Sequence, residues 1–179
     1  MEAIAEKKRF MFDMIFVISK MAAFNTRNPN APIYSEKPHP PGTLDIDLQK
    51  LLEAYVDQFK TGKMTEQDHF DSIVHITTEI SKKYGEILYK SRFRIGIAQK
   101  FLNLALKYLW CIGEISAPFH CPIDSIIIKK IERANPAVKF PKWTDFDCID
   151  DYKRCISALR EIAGSDKIAE WELKNWRSA

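Results

Sequence analysis

Apolar side chains recur at every third or fourth position over most of this chain, which is the spacing of one face of an α-helix. The stretch from Leu48 to Phe59 shows this pattern, and Thr65 with Asp68 three residues later predicts a capped start for the next helix. No stretch alternates strictly between apolar and polar residues, as a half-buried strand would. The predicted helices cover about residues 3–24, 45–60, 65–89, 98–112, 122–134, 147–163 and a short stretch after Ser165.

Two of these segments are apolar on more than one face. The segment of about residues 98–112 is apolar nearly all round, which predicts a helix at the centre of a bundle. The segment of about residues 3–24 is predicted to be largely buried as well. Asp13 and Lys20 interrupt it, so it is too short and too charged to span a bilayer. A helix lying on a membrane surface is the alternative to a core helix, and no membrane partner is expected.

Composition fits an all-α fold in one domain. The chain has 179 residues, 46% hydrophobic and 28% charged, enough to bury a core without disulfides or metals. Only six glycines argue against an all-β fold with many tight turns. Residues 25–44 are rich in proline and form a predicted loop within the domain, anchored by Ile33 and Tyr34. The prediction is a single domain over residues 1–179, a bundle of six to seven helices.

The cysteines and the N-terminus bear on the cellular compartment. Cys111, Cys121, Cys148 and Cys155 have neither zinc-ribbon nor iron–sulfur spacing. The N-terminus lacks the pattern of a signal peptide. Reduced thiols and a cytoplasmic location are therefore expected.

Positive charge is concentrated before the central helix. Between residues 82 and 100 there are six basic residues against one acid, Glu86. They are Lys82, Lys83, Lys90, Arg92, Arg94 and Lys100. A solvated helix face explains such a run equally well as a strip that contacts phosphates.

Several kinds of site are excluded or weakly indicated. His69 and His75 are six residues apart and do not share a helix face, which argues against a metal pair. His120 and Cys121 with Cys111 are too loosely spaced to indicate a metal site. The chain has no phosphate-binding loop, no Gly-x-Ser-x-Gly and no His-Glu-x-x-His. Neither a metal nor a cofactor is predicted.

One pair of motifs carries a specific chemistry. Ile95-Gly-Ile-Ala-Gln-Lys100 opens the central helix, and Cys121-Pro-Ile-Asp-Ser125 opens the next. This order resembles the helix–hairpin–helix DNA glycosylases, in which a Gly-x-Gly-x-Lys turn opens one helix and Pro-x-Asp opens another. Gly96 matches the first hairpin glycine, Lys100 the catalytic lysine and Asp124 the catalytic aspartate. Ala98 replaces the second glycine, Arg94-Ile95 replaces the usual Leu-Pro, and the interval from lysine to aspartate is longer than in most members.

The resemblance covers about residues 80–133 and implies a helix–hairpin–helix element near residues 80–112. It implies that backbone N–H groups at Gly96 and Ala98 hold a DNA phosphate, with help from the preceding basic residues. It also implies base excision from a nucleotide flipped out of the duplex, as in DNA repair. Lys100 would then be the nucleophile at the sugar C1′, and Asp124 would stabilise the developing positive charge or activate water.

Two functions from different classes remain open from the sequence. The first is a DNA glycosylase or lyase that uses Lys100 and Asp124. The second is a non-catalytic helical module that binds protein or nucleic acid as a monomer or a homo-oligomer. In the second case Lys100 is a solvated residue of the first helical turn, and Asp124 caps the next helix. The two differ in whether both side chains reach one concave pocket.

Overall fold

The computed structural model describes residues 2–35 and 40–176, and within these ranges it contains no β-strand. Residues 36–39 of the proline-rich loop lie outside the described residues. The all-α prediction is confirmed, with seven α-helices in the described part of the chain. They are α1 (Glu2–Phe24), α2 (Gly42–Lys60), α3 (Glu66–Tyr84), α4 (Ile95–Cys111), α5 (Ser125–Ala134), α6 (Ile149–Ala163) and α7 (Ile168–Asn175).

Helix α4 lies at the centre of the bundle, as its apolar sequence predicts. It packs against α1, α3, α6 and a single 3₁₀ turn at Trp143–Asp145. Its side chains at Phe101, Leu102, Ala105 and Leu106 have no exposed surface. Gly96, Ala98 and Lys100 lie near the N-terminus of this central helix, so its packing in the core fixes their positions.

The connection from α3 to α4 differs from the prediction. Helix α3 begins with the predicted capping box, in which the Thr65 hydroxyl accepts from the Asp68 N–H and the Asp68 carboxylate accepts from the Thr65 N–H. It ends at Tyr84, and two 3₁₀ turns follow at Gly85–Ile87 and Tyr89–Ser91. The start predicted for the central helix, at about residue 98, is too late, since α4 already begins at Ile95. The chain reverses earlier, at Lys90 and Ser91, which both adopt positive φ.

The proline-rich loop is fastened to the bundle by a buried arginine. Arg94 is 7% exposed, and its guanidinium donates to the carbonyls of Ala31, Pro32 and Thr144 at 2.8–2.9 Å. Ile33 is buried, and Tyr34 forms an isolated antiparallel bridge with Leu88. The loop therefore packs on the helices through the residues that the sequence indicated.

Helix α1 is less buried than predicted. Ile15, Phe16, Ser19 and Ala23 face the bundle, and α1 packs along α4. A second apolar face of α1 points to solvent, so the prediction of a largely buried helix is wrong for that face. No helix among the described residues is both long enough and apolar enough to cross a membrane.

Candidate active site

Lys100 and Asp124 line the same pocket. The pocket has a volume of about 700 Å³ and opens between the chain that follows α1, the first turns of α4, the start of α5 and residues 140–144. Trp143 and Phe140 contribute aromatic walls. Twenty-four positions separate the lysine from the aspartate in the sequence, and hydrogen bonds between Gln99 of α4 and Ile123 before α5 hold the two segments together at one cavity.

Lys100 is half-buried at the N-terminal end of α4. Its Nζ lies 4.2 Å from the centroid of the Trp143 ring, which is a cation–π contact. Burial lowers the pKa of Lys100, the nearby Asp124 carboxylate opposes that change, and Arg27 adds to the lowering. No ion pair joins Lys100 to Asp124 or to any other described acid. A larger share of the amine is therefore unprotonated than for a lysine in water.

Asp124 caps α5 and also faces the pocket. Its Oδ1 accepts from the N–H of Ile126 at 2.9 Å and of Ile127 at 3.2 Å. The helix-capping role that the sequence allowed is thus present, but both bonds use the same oxygen. Oδ2 takes no part in the cap, which leaves it available to a ligand in the pocket.

Gln99 holds the two motifs together. Its side-chain NH₂ donates to the carbonyls of Gly96 and Ile123 at 2.9 and 2.7 Å, and its Oε1 accepts from the Ile123 N–H at 3.0 Å. The side chain is fully buried. The residue before Lys100 is therefore bonded to the residue before Asp124, which fixes the spacing of the candidate pair. The role of Gln99 is not predictable from the sequence, because a buried amide at this position has no local signature.

Gly96 allows the backbone of α4 to lie close to the backbone at Trp143. A Cβ at this position would lie 1.7 Å from the Trp143 carbonyl oxygen. The Gly96 N–H donates to the carbonyl of Phe146 at 3.0 Å, and the Ala98 N–H donates to that of Arg94 at 3.1 Å. Both residues are buried. A phosphate contact at either amide, as predicted from the resemblance, would require these bonds to open.

The predicted basic strip divides into residues with different surroundings. Arg94 is buried under the proline-rich loop, so its charge does not reach the surface. Arg92 pairs with Asp147 at 2.8 Å, and Lys83 pairs with Asp47. Lys82 and Lys90 are exposed, and Lys90 lies over the Tyr89 ring. Of the six basic residues in the run, only Lys100 lines the pocket.

Three further cations line the pocket and were not singled out by the sequence. Arg27, Lys129 and Lys142 come from three separate segments, which is why no local motif indicates them. None of them forms an ion pair with a described residue. Together with Lys100 they give four cations against two acids, Asp124 and Glu132. The pocket therefore favours an anionic ligand.

A chain of buried polar groups lies behind the site. Asn103 donates to the Tyr152 hydroxyl at 2.8 Å, and that hydroxyl is 3.0 Å from His120 Nδ1. His120 Nε2 is 2.7 Å from the carboxylate of Glu66. Burial lowers the pKa of His120 in spite of this carboxylate, and raises the pKa of Tyr152. A neutral His120 that donates to Glu66 and accepts from Tyr152 satisfies every one of these contacts.

His69 is a second buried imidazole in the same region. The Tyr55 hydroxyl lies 2.6 Å from its Nδ1, and its Nε2 has no partner among the described residues. Burial lowers the pKa of His69, and the neighbouring His120 lowers it further. A charged imidazole here would be desolvated without a counter-ion, so His69 is neutral in the fold.

The two buried histidines make the stability depend on pH. In the unfolded chain the pKa of each histidine is about 6.5. In the folded chain both pKa values are lower than that. Their stabilising contribution is complete above the unfolded pKa and is lost as the pH falls through and below it. The free energy of unfolding, measured with urea, should be higher at about pH 7.5 than at about pH 5.5.

A pair of variants checks the source of this dependence. His69→Gln should reduce the difference between the two pH values, whereas His75→Gln, at an exposed position of α3, should leave it unchanged. Equal differences in the wild type and in His69→Gln would contradict the assignment to His69.

Comparison with known proteins gives no relative from which a function can be transferred, because no family model, curated protein or solved structure matches the chain significantly.

Proposed function

We propose that the protein binds DNA and acts as a base-excision glycosylase and lyase on a damaged or modified base flipped into the pocket. The observation that supports this most strongly is that Lys100 and Asp124 line one cavity. An enzyme of this class needs an amine and a carboxylate at one sugar carbon, and the sequence motif supplies these two groups in the family's order.

The proposed chemistry starts at the sugar C1′. The neutral amine of Lys100 forms a bond to C1′ while the bond from C1′ to the base breaks, and the base leaves with the electron pair and takes up a proton. The Asp124 carboxylate stabilises the oxocarbenium-like charge that develops on the sugar. Loss of the amine proton and opening of the sugar ring then give a Schiff base. The lowered pKa of Lys100 favours the first step because only the unprotonated amine is nucleophilic.

The walls and rim of the pocket fit a nucleotide. Phe140 and Trp143 offer aromatic surface beside the reactive pair, as an enzyme that extrudes a base requires. Arg27, Lys129 and Lys142 supply positive charge that is not neutralised by described acids. In this proposal these three side chains contact the phosphates next to the flipped nucleotide, and the exposed residues Lys82, Lys90 and Arg92 are the further contacts predicted from the sequence.

The phosphate contacts lead to a prediction on salt dependence. Binding of a DNA duplex should weaken as salt rises, and Lys129→Ala and Lys142→Ala should each reduce the log–log slope by about one. Lys63→Ala, an exposed lysine outside the pocket, is the matched control and should leave the slope unchanged. Fluorescence anisotropy across a salt series measures it. Slopes equal to that of the wild type in both pocket variants would show that these lysines meet no phosphate.

The same titration tests the basic strip. Lys82→Ala and Lys90→Ala change exposed side chains and leave the core intact. Arg94→Ala is not a useful test of DNA contact, because it would remove the three hydrogen bonds that hold the proline-rich loop.

The activity itself is tested with duplexes that carry single oxidised, alkylated or deaminated bases. Release of a free base from at least one of them by the wild-type protein, with none from an undamaged duplex, is the expected result. If the protein releases no base from any duplex of the panel, the proposal that it is a glycosylase is contradicted.

The non-catalytic binding module is the second candidate, and one observation favours it. Helix α1 exposes a continuous apolar face that the pocket chemistry does not use.

A further inference from the structure

Helix α1 exposes more apolar surface than its packing on the bundle explains. Seven large hydrophobic side chains of this helix are 40–66% exposed. They are Ile4, Phe10, Met11, Met14, Val17, Ile18 and Met21. They lie on one side of the helix and expose apolar surface on the order of several hundred Å², and an exposed apolar patch of that size is often an interaction site.

We propose that this face is covered by the same face of a second copy of the chain, with the two α1 helices antiparallel and Met14 near the two-fold axis. A closed two-fold dimer uses one patch twice, so a self-complementary apolar stripe is what it requires. The partner is thus a second copy, and the proposed contact is made by the exposed side chains of α1.

The spacing along the stripe fits a helix partner. Phe10, Met14, Val17 and Met21 follow one another at intervals of four, three and four residues, which is the repeat that keeps one seam facing another helix. Met11 and Ile18 are seven residues apart and lie beside this seam. Three methionines on the face provide adaptable side chains for packing against an identical surface.

The extent of the face matches a dimer. Specific interfaces bury about 800 Å² on each partner, with an apolar centre and a polar rim. The seven side chains supply most of such a centre, and the charged residues Lys8, Arg9, Asp13 and Lys20 lie beside it on the same helix.

The charges favour a second copy over a membrane. Three of the four cations of α1 are paired within the chain: Lys8 with Glu114 at 3.0 Å, Arg9 with Glu53 at 2.7 Å, and Lys20 with Asp45 at 2.5 Å. Only Lys7 lacks an ion pair among the described residues, which is too little free positive charge to hold the helix on an anionic lipid surface.

Lys7 also fits the antiparallel arrangement. It lies on the stripe seven residues before Met14, so in the dimer it reaches the C-terminal turn of α1 in the second copy. That turn carries no basic residue of its own. A cation beside a helix C-terminus is stabilising, because the helix dipole is negative there.

Light scattering on a size-exclusion column tests the proposal across a concentration series. The wild-type chain should show twice the monomer mass of 20.8 kDa. Met14→Glu should return the mass to that of the monomer, with an unchanged helical circular-dichroism spectrum. Val74→Glu, which changes an exposed apolar residue of α3, is the matched control and should remain dimeric.

A cross-link tests the geometry independently of any loss of stability. Met14→Cys in a Cys111→Ser, Cys148→Ser background should give a disulfide-linked dimer under mild oxidation, because the two side chains meet at the axis, whereas Val74→Cys in that background should not. A monomeric mass at every concentration would overturn the proposal, as would a dimer that Met14→Glu leaves intact. Monomers that float with phosphatidylcholine–phosphatidylserine vesicles would overturn it in favour of the membrane surface.

Discussion

Asp124→Asn is expected to lower the rate of base release by at least about a hundredfold, the lower limit for loss of an acid–base or charge-stabilising group. The neutral amide cannot stabilise the positive charge that develops on the sugar. DNA affinity should change little, because in the proposed complex the phosphate contacts are made by Arg27, Lys129 and Lys142 and not by Asp124. Single-turnover kinetics on the released base separate these two quantities.

The same variant separates chemistry from helix capping. Asparagine is about as good an N-cap as aspartate, so the bonds to the Ile126 and Ile127 amides can persist in Asp124→Asn. Asp124→Ala, in contrast, removes the cap and should lower the free energy of unfolding by about 1 kcal/mol. Asp150→Asn, at an exposed carboxylate of α6, is the control for a lost negative charge.

Full activity of Asp124→Asn would show that Asp124 caps α5 but does not act in base release. If Asp124→Ala then lost only stability, the carboxylate would have no part in the reaction.

Gly96→Ala is expected to cost the fold about 3 kcal/mol, the upper end of the usual range for overpacking. The added methyl group would be 1.7 Å from the Trp143 carbonyl oxygen, and neither backbone can rotate away from the contact as a flexible side chain can. Relief requires α4 to separate from residues 143–146, which breaks the hydrogen bond from the Gly96 N–H to Phe146. Trp143 would then also move from its place over Lys100.

Urea unfolding measures this effect, and a second glycine provides the control. Gly42 lies at the first position of α2 and has open space where a Cβ would be. Gly42→Ala should therefore be neutral or stabilising by a few tenths of a kcal/mol to about 1 kcal/mol. If Gly96→Ala proved as stable as Gly42→Ala, the close approach to Trp143 would not exist in the protein.

Most of the helices could be predicted from sequence because their apolar stripes and caps are local signals. The Thr65–Asp68 capping box is an example, and the nearly all-apolar sequence of α4 predicts its central position. For α1 the same kind of pattern gives a wrong prediction. Apolar residues on several faces indicate burial, but they do not say whether the covering surface belongs to the same chain.

The candidate pair Lys100 and Asp124 could be predicted from the order of two sequence motifs. The residues that surround the pair could not be predicted in this way. The resemblance predicts that Gly96 opens a phosphate-binding turn, whereas its close approach to Trp143, 47 positions away in the chain, has no local signal in the sequence. Arg94 was counted as surface charge because the carbonyls that bury it belong to the distant proline-rich loop. Arg27, Lys129 and Lys142 are joined to the pocket only by tertiary packing.

Borohydride trapping on a duplex with an abasic site tests directly whether the amine of Lys100 reacts at the sugar carbon in a pocket shared with Asp124. Reduction of the Schiff base leaves a stable protein–DNA adduct, and peptide mass spectrometry locates the modified residue. The expected result is an adduct at Lys100 in the wild type and in the exposed-lysine control Lys63→Gln, and none in Lys100→Gln. The absence of an adduct in the wild type, or its location on another lysine, would contradict the claim.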